Sequence, residues 1–275
     1  MGRDHPLQSE ASPVPIDRLL ALYFVHMRQL PFVLMGPLLA AILVPATSLA
    51  YYPYASGATG YDVSYPDCSR SSPPPGSFGI VGVTHGRPFT VSGCVAAEYR
   101  WAAADATAPR LYFNTAYSGA YQKDITATCQ ASIPATLTDR AQRQGWATGC
   151  SEADYALSHS PGTAAMWWLD VETSNSWSTN NLLLNREAIQ GAVSFIQQHV
   201  SVPVGIYSSG SWWTTITGAG DWNPTGASAD WLAGTRASAS TAAGFCGTGF
   251  SGVPVYLVQY SGTDQLGSFD ADYAC

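Results

Sequence analysis

Eight short apolar segments recur along the chain after residue 60. They are GYDVSY (60–65), FGIVGV (78–83), RLYFNT (110–115), AMWWLDVE (165–172), VPVGIYSS (202–209), ADWLAG (229–234), PVYLVQYS (254–261) and GSFDADY (267–273). Most are apolar almost throughout instead of alternating with polar residues. This pattern is typical of strands that are buried on both faces of a parallel sheet.

Helical patterns separate several of these strands. The clearest is NREAIQGAVSFIQQHV (185–200), whose apolar residues recur at spacings of four, three and four and form one helix face. SGCVAAEYRWAAAD predicts a helix with Ser92 as its N-cap. DRAQRQGWATG and SEADYALSHS predict two shorter helices.

Strands that alternate with helices over residues 60–275 predict an α/β fold, a single (β/α)8 barrel of the TIM type. The stretch 235–254 is rich in Ala, Ser and Gly, so the late helices are expected to be short or irregular. No glycine-rich phosphate loop with the required spacing follows a strand, which disfavours a nucleotide cofactor.

The N-terminus carries an apolar run that is typical of a secretory signal. Residues 29–61 contain no charge, and LPFVLMGPLLAAILVPATSLA ends in small residues suited to cleavage after Ala50. We therefore expect a signal peptide over 1–50, with the true start at Met27, then a linker over 51–59 and the barrel over 60–275. A membrane anchor is the alternative, but two prolines in the run and its modest length favour cleavage.

Composition narrows the partners and the compartment. The chain is 46% hydrophobic and 12% aromatic, enough for a large globular domain. Its net charge is −7 and Lys123 is its only lysine, so it lacks the basic stripe that nucleic acid requires. From these features together with the N-terminal run, we expect an exported protein of the cell exterior or cell wall that is monomeric and has no stable membrane association once the signal is removed.

The six cysteines agree with export. None forms a C-x-x-C pair, so a disulfide framework is favoured over zinc or redox chemistry. Six cysteines allow fifteen pairings, and proximity in sequence favours Cys68 with Cys94, Cys129 with Cys150, and Cys246 with Cys275.

Acidic residues stand at the ends of three predicted strands. Asp170 and Glu172 are two positions apart and project to the same side of the fourth strand. Asp62 lies in the first strand, and Asp270, with Asp272 two positions on, lies in the last. A barrel gathers such positions around one cavity. Clustered carboxyls raise at least one pKa, and a neutral acid beside ionised ones suits the protonation of a glycosidic oxygen.

Aromatic side chains near strand ends are a second indication of a sugar site, because flat apolar rings stack on sugar rings. They are Trp167, Trp168, Trp177, Trp212, Trp213, Trp222, Trp231, Tyr207 and Tyr260. Trp167 and Trp168 are neighbours on one strand, so one of them is expected to pack in the core beneath a helix.

The order YDVS, WLDVET, VGIYSS, ADWLAG, LVQYS, FDAD resembles the family 25 glycoside hydrolases, secreted lysozymes of the N-acetylmuramidase type that cleave β-1,4 bonds of peptidoglycan. The resemblance covers residues 60–275. It implies that Glu172 is the general acid, Asp170 its nucleophilic or electrostatic partner, Asp62 a substrate-orienting acid and Asp270 the last-strand acid. Substrate contacts are expected from Tyr112, Trp177, Tyr207, Trp231, Gln259 and Tyr260. Whether catalysis uses a covalent intermediate or the substrate's acetamido group stays open.

Two strands depart from the family pattern. The second strand usually ends in a segment bearing lysine and glutamate, but here it offers Thr84, His85 and Arg87. The third usually carries a tyrosine, histidine and phenylalanine run, but here it reads Tyr112, Phe113, Asn114. These departures bear on substrate subsites, and His85 is either a substrate contact or a hydrogen-bonded structural residue.

Three other functions explain the sequence less well. A chitinase-like barrel also ends its fourth strand in D-x-E, but it needs a further aspartate where this chain has Trp168. A secreted barrel that binds glycan without cleaving it is favoured by the departures and disfavoured by the four acids. A metal-dependent deacetylase or amidase needs histidine ligands, and the three histidines after residue 50 lack metal-like spacing. No metal or cofactor is therefore expected.

Overall fold

The computed structural model describes residues 53–70, 72–105, 107–235, 237–260 and 269–275. The expected signal segment, 1–50, lies outside these residues. Among the helices within them, none combines the length and the apolar character needed to cross a bilayer.

Eight strands close into a barrel in the order in which they occur along the chain. They are β1 Thr59–Val63, β2 Gly79–Gly82, β3 Arg110–Asn114, β4 Met166–Asp170, β5 Val204–Ser208, β6 Ala229–Leu232, β7 Val255–Tyr260 and β8 Asp270–Ala274. Six strands fall within their predicted segments, and β1 and β8 each extend one residue beyond theirs, so the barrel prediction is confirmed.

Within the part of the chain that the structure describes, five α-helices and three short 3-10 helices connect the strands. The α-helices are α1 Val95–Ala102, α2 Ala127–Ala131, α3 Arg140–Ser158, α4 Leu182–His199 and α5 Gly210–Thr217. The 3-10 helices are Tyr65–Asp67, Gly119–Asp124 and Ala242–Phe245. The last of these lies in the connection 235–254, within whose described residues there is no α-helix, as expected.

Two helix predictions need correction. The segments expected to form two helices, 139–149 and 151–160, form the single helix α3, whose N-cap Asp139 accepts a hydrogen bond from the Gln142 backbone at 2.9 Å. Nothing between them breaks a helix. Helix α1 begins later than expected, with Cys94 instead of Ser92 at its N-cap.

Glycines allow α3 and α4 to pack in close contact. A Cβ atom on Gly149 would overlap the carbonyl oxygen of Ala188, and one on Gly191 would overlap that of Trp146. Glycine weakens an isolated helix. Here it lets the two helix backbones touch over the outer face of the barrel.

Strand β8 differs from the expected parallel sheet. It pairs antiparallel with both β7 and β1, whereas the other neighbouring strands pair parallel. Only nine residues separate Tyr260 from Asp270. A parallel connection needs a crossover of about a dozen residues or more, so the chain turns back and enters the barrel from the opposite end.

The side chains of β4 alternate between two cores. Trp168 points into the barrel and packs with Trp231 at 5.6 Å between ring centroids, whereas Trp167 points outward and packs beneath the helices with Phe113 at 6.0 Å. The expectation that one of the two tryptophans lies beneath a helix is confirmed.

The segment expected to be a linker contributes to the barrel floor. Tyr54 is buried, and its hydroxyl accepts a hydrogen bond from Trp168 Nε1 at 2.9 Å. The buried guanidinium of Arg110 donates to the carbonyl of Pro53 and lies 4.6 Å from the Tyr54 ring centroid. The end of the barrel opposite the carboxyl ends of the parallel strands is therefore closed by these side chains.

The three disulfides are Cys68–Cys94, Cys129–Cys150 and Cys246–Cys275, which confirms the predicted pairing. The third ties the connection before β7 to the residue that follows β8. The third disulfide therefore holds β8, the strand that pairs antiparallel with both of its neighbours.

Replacing Cys246 and Cys275 together by serine is expected to lower the free energy of unfolding by about 3 kcal/mol, because the bridge restricts the unfolded chain. Urea unfolding of the wild type and of the double variant measures this difference. An unchanged denaturation midpoint would show that β8 stays in place without the bridge.

Candidate active site

A cavity of about 370 Å³ opens at the end of the barrel where the parallel strands finish. Its lining consists of Asp62, Ser64, Pro66, Asp67, Arg70, Tyr112, Asp170, Glu172, Tyr207, Trp231, Gln259 and Asp270. The structure thus brings all four acids singled out from the sequence to one place. Four of the six expected substrate contacts, Tyr112, Tyr207, Trp231 and Gln259, join them.

The direction of β8 explains how Asp270 reaches this cavity. Asp270 is the first residue of β8, and it lies opposite Asp62 in the antiparallel register between β8 and β1. In a parallel β8 the first residue would lie at the barrel floor. Reversal of this strand places its acid beside the acid of β1.

The carboxylate of Asp170 is held by Asn114 of β3, which is held in turn by Thr84, two residues after β2. Asn114 Nδ2 donates to Asp170 Oδ2 at 2.5 Å, and the Thr84 hydroxyl donates to Asn114 Oδ1 at 2.7 Å. Asp170 Oδ1 is buried without a hydrogen-bond partner among the described residues. Burial, and then the charges of Glu172 and Asp62, raise the pKa of Asp170 well above its usual range.

Thr84, two residues after β2, and Asn114, the last residue of β3, are among the residues that depart from the family pattern. The sequence showed both residues as departures without giving them a role. Their chain of hydrogen bonds fixes the Asp170 carboxylate. A polar residue at the end of β3, beside an acid at the end of β4, was the signal for this contact.

Glu172 lies two residues after the end of β4 and is only half-buried at the cavity. Its backbone carbonyl accepts hydrogen bonds from Asn175 N at 3.1 Å and from Trp177 Nε1 at 2.8 Å. Trp177 was expected to contact substrate, but it does not line the cavity. It packs against core residues and fixes the turn that carries Glu172.

Gln259 links two sides of the cavity. Its amide donates to Asp62 Oδ2 at 3.1 Å and accepts from the Tyr207 hydroxyl at 2.8 Å. Tyr260, the next residue and also an expected substrate contact, points to the other side of β7 and packs against Ala237, Ala242 and Val258. Side chains alternate along a strand, so Gln259 and Tyr260 cannot both face the cavity.

Asp272 forms a layer beneath the cavity. It is fully buried, and Trp231 Nε1 donates to its Oδ1 at 2.7 Å. Burial, and then the Asp62 charge, raise the pKa of Asp272 well above its usual range. Burial and the charge of Asp270 raise the pKa of Asp62 to about 7. Asp272 was seen in the sequence two positions after Asp270, a spacing that puts both on the inner face, but its role beneath the cavity was missed.

The raised pKa of Asp62 makes stability depend on pH in a direction opposite to that of a salt-bridged acid. The unfolded pKa is about 3.9, so the native state holds the proton more tightly. The resulting stabilisation is present at low pH and is lost as pH rises from about 4 to about 7. We expect wild type to lose more stability than Asp62→Asn between pH 5 and pH 7.5, by on the order of 2 kcal/mol.

Urea unfolding of both proteins at the two pH values checks this expectation. The asparagine keeps the shape of the side chain and removes its titration. Identical pH dependence in the two proteins would contradict the raised pKa.

No family model and no curated protein matches the chain. Among solved structures, the chain is similar to a muramidase from Acremonium alcalophilum, at 17% identity and a TM-score of 0.52, over 79% of this chain and 93% of that one. It is also similar to the bacterial lysozyme from Streptomyces coelicolor, at 21% identity and a TM-score of 0.52, over 80% and 93%. These likenesses establish a shared barrel fold.

Proposed function

We propose that the chain is a secreted glycoside hydrolase that cleaves β-1,4 bonds of peptidoglycan, as an N-acetylmuramidase-type lysozyme of family 25. The observation that carries this proposal is the meeting of Asp62, Asp170, Glu172 and Asp270 in one cavity at the carboxyl ends of the parallel strands. That end of a β/α barrel is where enzymes of this fold hold their active sites.

Glu172 is the proposed general acid. It is half-buried at the cavity, where it can reach the oxygen of a bound glycosidic bond. Protonation of that oxygen must accompany cleavage, because an unprotonated sugar would have to leave as an alkoxide, which is a poor leaving group. The hydrogen bonds from Asn175 and Trp177 to its backbone hold the residue in position.

Asp170 is the proposed partner carboxylate. Its Oδ1 is buried without a partner among the described residues, and Asn114 fixes the other oxygen. When it is ionised, the Asp170 carboxylate stabilises the oxocarbenium-like transition state. The position of Asp170 is compatible with both mechanisms. In one its carboxylate attacks the anomeric carbon and forms a covalent intermediate, and in the other it supports attack by the acetamido group of the substrate.

The remaining residues bind and orient the sugar. Asp62, fixed by Gln259, and Asp270 present carboxyl oxygens to sugar hydroxyls, while Tyr112, Tyr207 and Trp231 supply ring surface. Trp231 packs edge-on against Tyr207 at 4.6 Å between ring centroids, which keeps both rings in place. Polar groups around an aromatic floor are typical of carbohydrate sites.

Export is proposed from the apolar N-terminal run together with the three disulfides, which form and persist in oxidising compartments. An exported enzyme of this type would meet its proposed substrate, peptidoglycan, in the cell wall.

The test is digestion of purified cell walls by the mature chain, followed by borohydride reduction and sugar analysis. A muramidase lowers the turbidity and leaves reduced muramic acid at the new chain ends. Reduced glucosamine would identify a different glycosidase. Tight wall binding without any new reducing end would establish a glycan-binding barrel instead and contradict the proposed activity.

A further inference from the structure

A second depression, called here the cationic groove, lies on the same end of the barrel as the acidic cavity. It has a volume of about 460 Å³ and is lined by Arg87, Pro88, Phe89, Thr90, Ser118, Ala120, Tyr121, Lys123, Asp124 and Ser176. These residues belong to the segments that follow β2, β3 and β4. None of them lines the acidic cavity.

The charge of the groove is opposite to that of the cavity and of the whole chain. Arg87 and Lys123, both exposed, face the groove together with one acid, Asp124. The chain carries a net charge of −7, and Lys123 is its only lysine. Two cations at one depression of such a chain create a local site for anions.

Hydrogen bonds and ring contacts hold the walls of the groove in place. The Thr90 hydroxyl accepts from His85 N at 3.0 Å and donates to the carbonyl of Arg87 at 2.6 Å. Phe89 has a φ of 57°, a left-handed conformation that is strained for a residue with a bulky side chain. Its ring packs against Tyr121 at 5.5 Å and Tyr155 at 5.8 Å between centroids.

The groove is connected to the cavity by two short links. Tyr65 lies between the cavity residues Ser64 and Pro66, and its exposed ring packs on His85 at 4.2 Å between centroids. Ser176, four residues after Glu172, lines the groove, and its carbonyl accepts from Tyr117 N at 2.8 Å. The walls of the cavity and of the groove are therefore joined through Tyr65 and His85 on one side and through the segment after β4 on the other.

We propose that the cationic groove binds the carboxylates of the peptide that a muramic acid residue carries, while the glycan backbone occupies the cavity; this rests on the proposed function. The Arg87 guanidinium pairs with a carboxylate through two parallel hydrogen bonds, and Lys123 adds a point charge. Phe89 and Tyr121 offer ring surface to the aliphatic parts of the peptide. The enzyme then prefers glycan that bears anionic peptides over the bare sugar chain.

The test compares two forms of one substrate, soluble glycan-peptide chains free of phosphate polymers, with the peptide carboxylates either intact or converted to amides. Wild type is expected to show a higher kcat/KM for the intact form. Arg87→Gln and Lys123→Gln each reduce this preference about threefold, and the double variant reduces it about tenfold. The matched control is Arg100→Gln, which removes an exposed cation of α1 and retains the preference.

Binding of the isolated stem peptide to Glu172→Gln, followed by NMR, separates this proposal from the proposed function. Peptide binding that is lost on addition of Arg87→Gln supports the groove even when no wall is cleaved. Cleavage with equal kcat/KM for intact and amidated chains overturns the groove and leaves the hydrolase. An effect of the variants only on walls that carry phosphate polymers would assign the groove to phosphate and overturn the carboxylate assignment.

Discussion

Replacing Glu172 by glutamine is expected to lower kcat/KM for cell-wall hydrolysis by about a thousandfold, the size of effect that loss of a general acid produces. The amide keeps the shape of the side chain but has no proton to give to the leaving oxygen. Because its backbone contacts with Asn175 and Trp177 are unaffected, the turn and the cavity remain in place. Release of reducing ends from soluble glycan, followed over time, measures the loss.

The control for this variant is Glu187→Gln, which neutralises a partly buried glutamate of α4 away from the cavity. It should retain full activity. The Glu172 variant should also still bind glycan and unfold at the temperature of wild type. Retained hydrolysis in the Glu172 variant would show that Glu172 is not the general acid. Asp170 would then be the candidate for that role.

Replacing Gly149 by alanine is expected to destabilise the fold by about 3 kcal/mol and to lower the melting temperature by about 6 to 12 °C. The added Cβ would overlap the carbonyl oxygen of Ala188, so α3 and α4 must separate. In an isolated helix the same change stabilises by about 1 kcal/mol, because alanine is the better helix former. The sign of the effect therefore reports the helix contact directly.

Gly93→Ala is the matched change, since a Cβ there would have no atom within 4 Å. Its melting temperature should stay close to that of wild type. Thermal unfolding of the three proteins at one pH compares them. A Gly149 variant that is as stable as wild type would mean that the two helices are not in backbone contact.

The sequence was most informative where burial dictates residue type. The strands could be predicted because segments buried on both faces must be apolar, and β4, with MWWLD, shows this clearly. Residues Asp170 and Glu172 stand out against that background as acids at the end of an apolar strand. The close spacing of cysteines also sufficed for the disulfides.

The sequence was less informative where the outcome depends on pairing between distant segments. The direction of β8 follows from the short chain between Tyr260 and Asp270, which strand patterns alone do not reveal. The continuity of α3 was hidden because glycines within it weaken the helical signal, although they serve contact with α4. Trp177 and Tyr260 were expected at the substrate site because of their residue type. Their side chains face away from the cavity, and residue type alone does not reveal this orientation.

Closure of the barrel by β8 also determines when the four acids can come together. The hydrogen bond between Gln259 and Asp62 joins residues 197 positions apart, and Asp270, Asp272 and Cys275 follow later still. During synthesis these acids leave the ribosome after the rest of the barrel, and their pairing with β1 involves the longest sequence separation in the domain. A nascent chain from which β8 has not yet emerged thus lacks Asp270 and the strand that pairs with β1, so the four acids come together only after this last strand has been made.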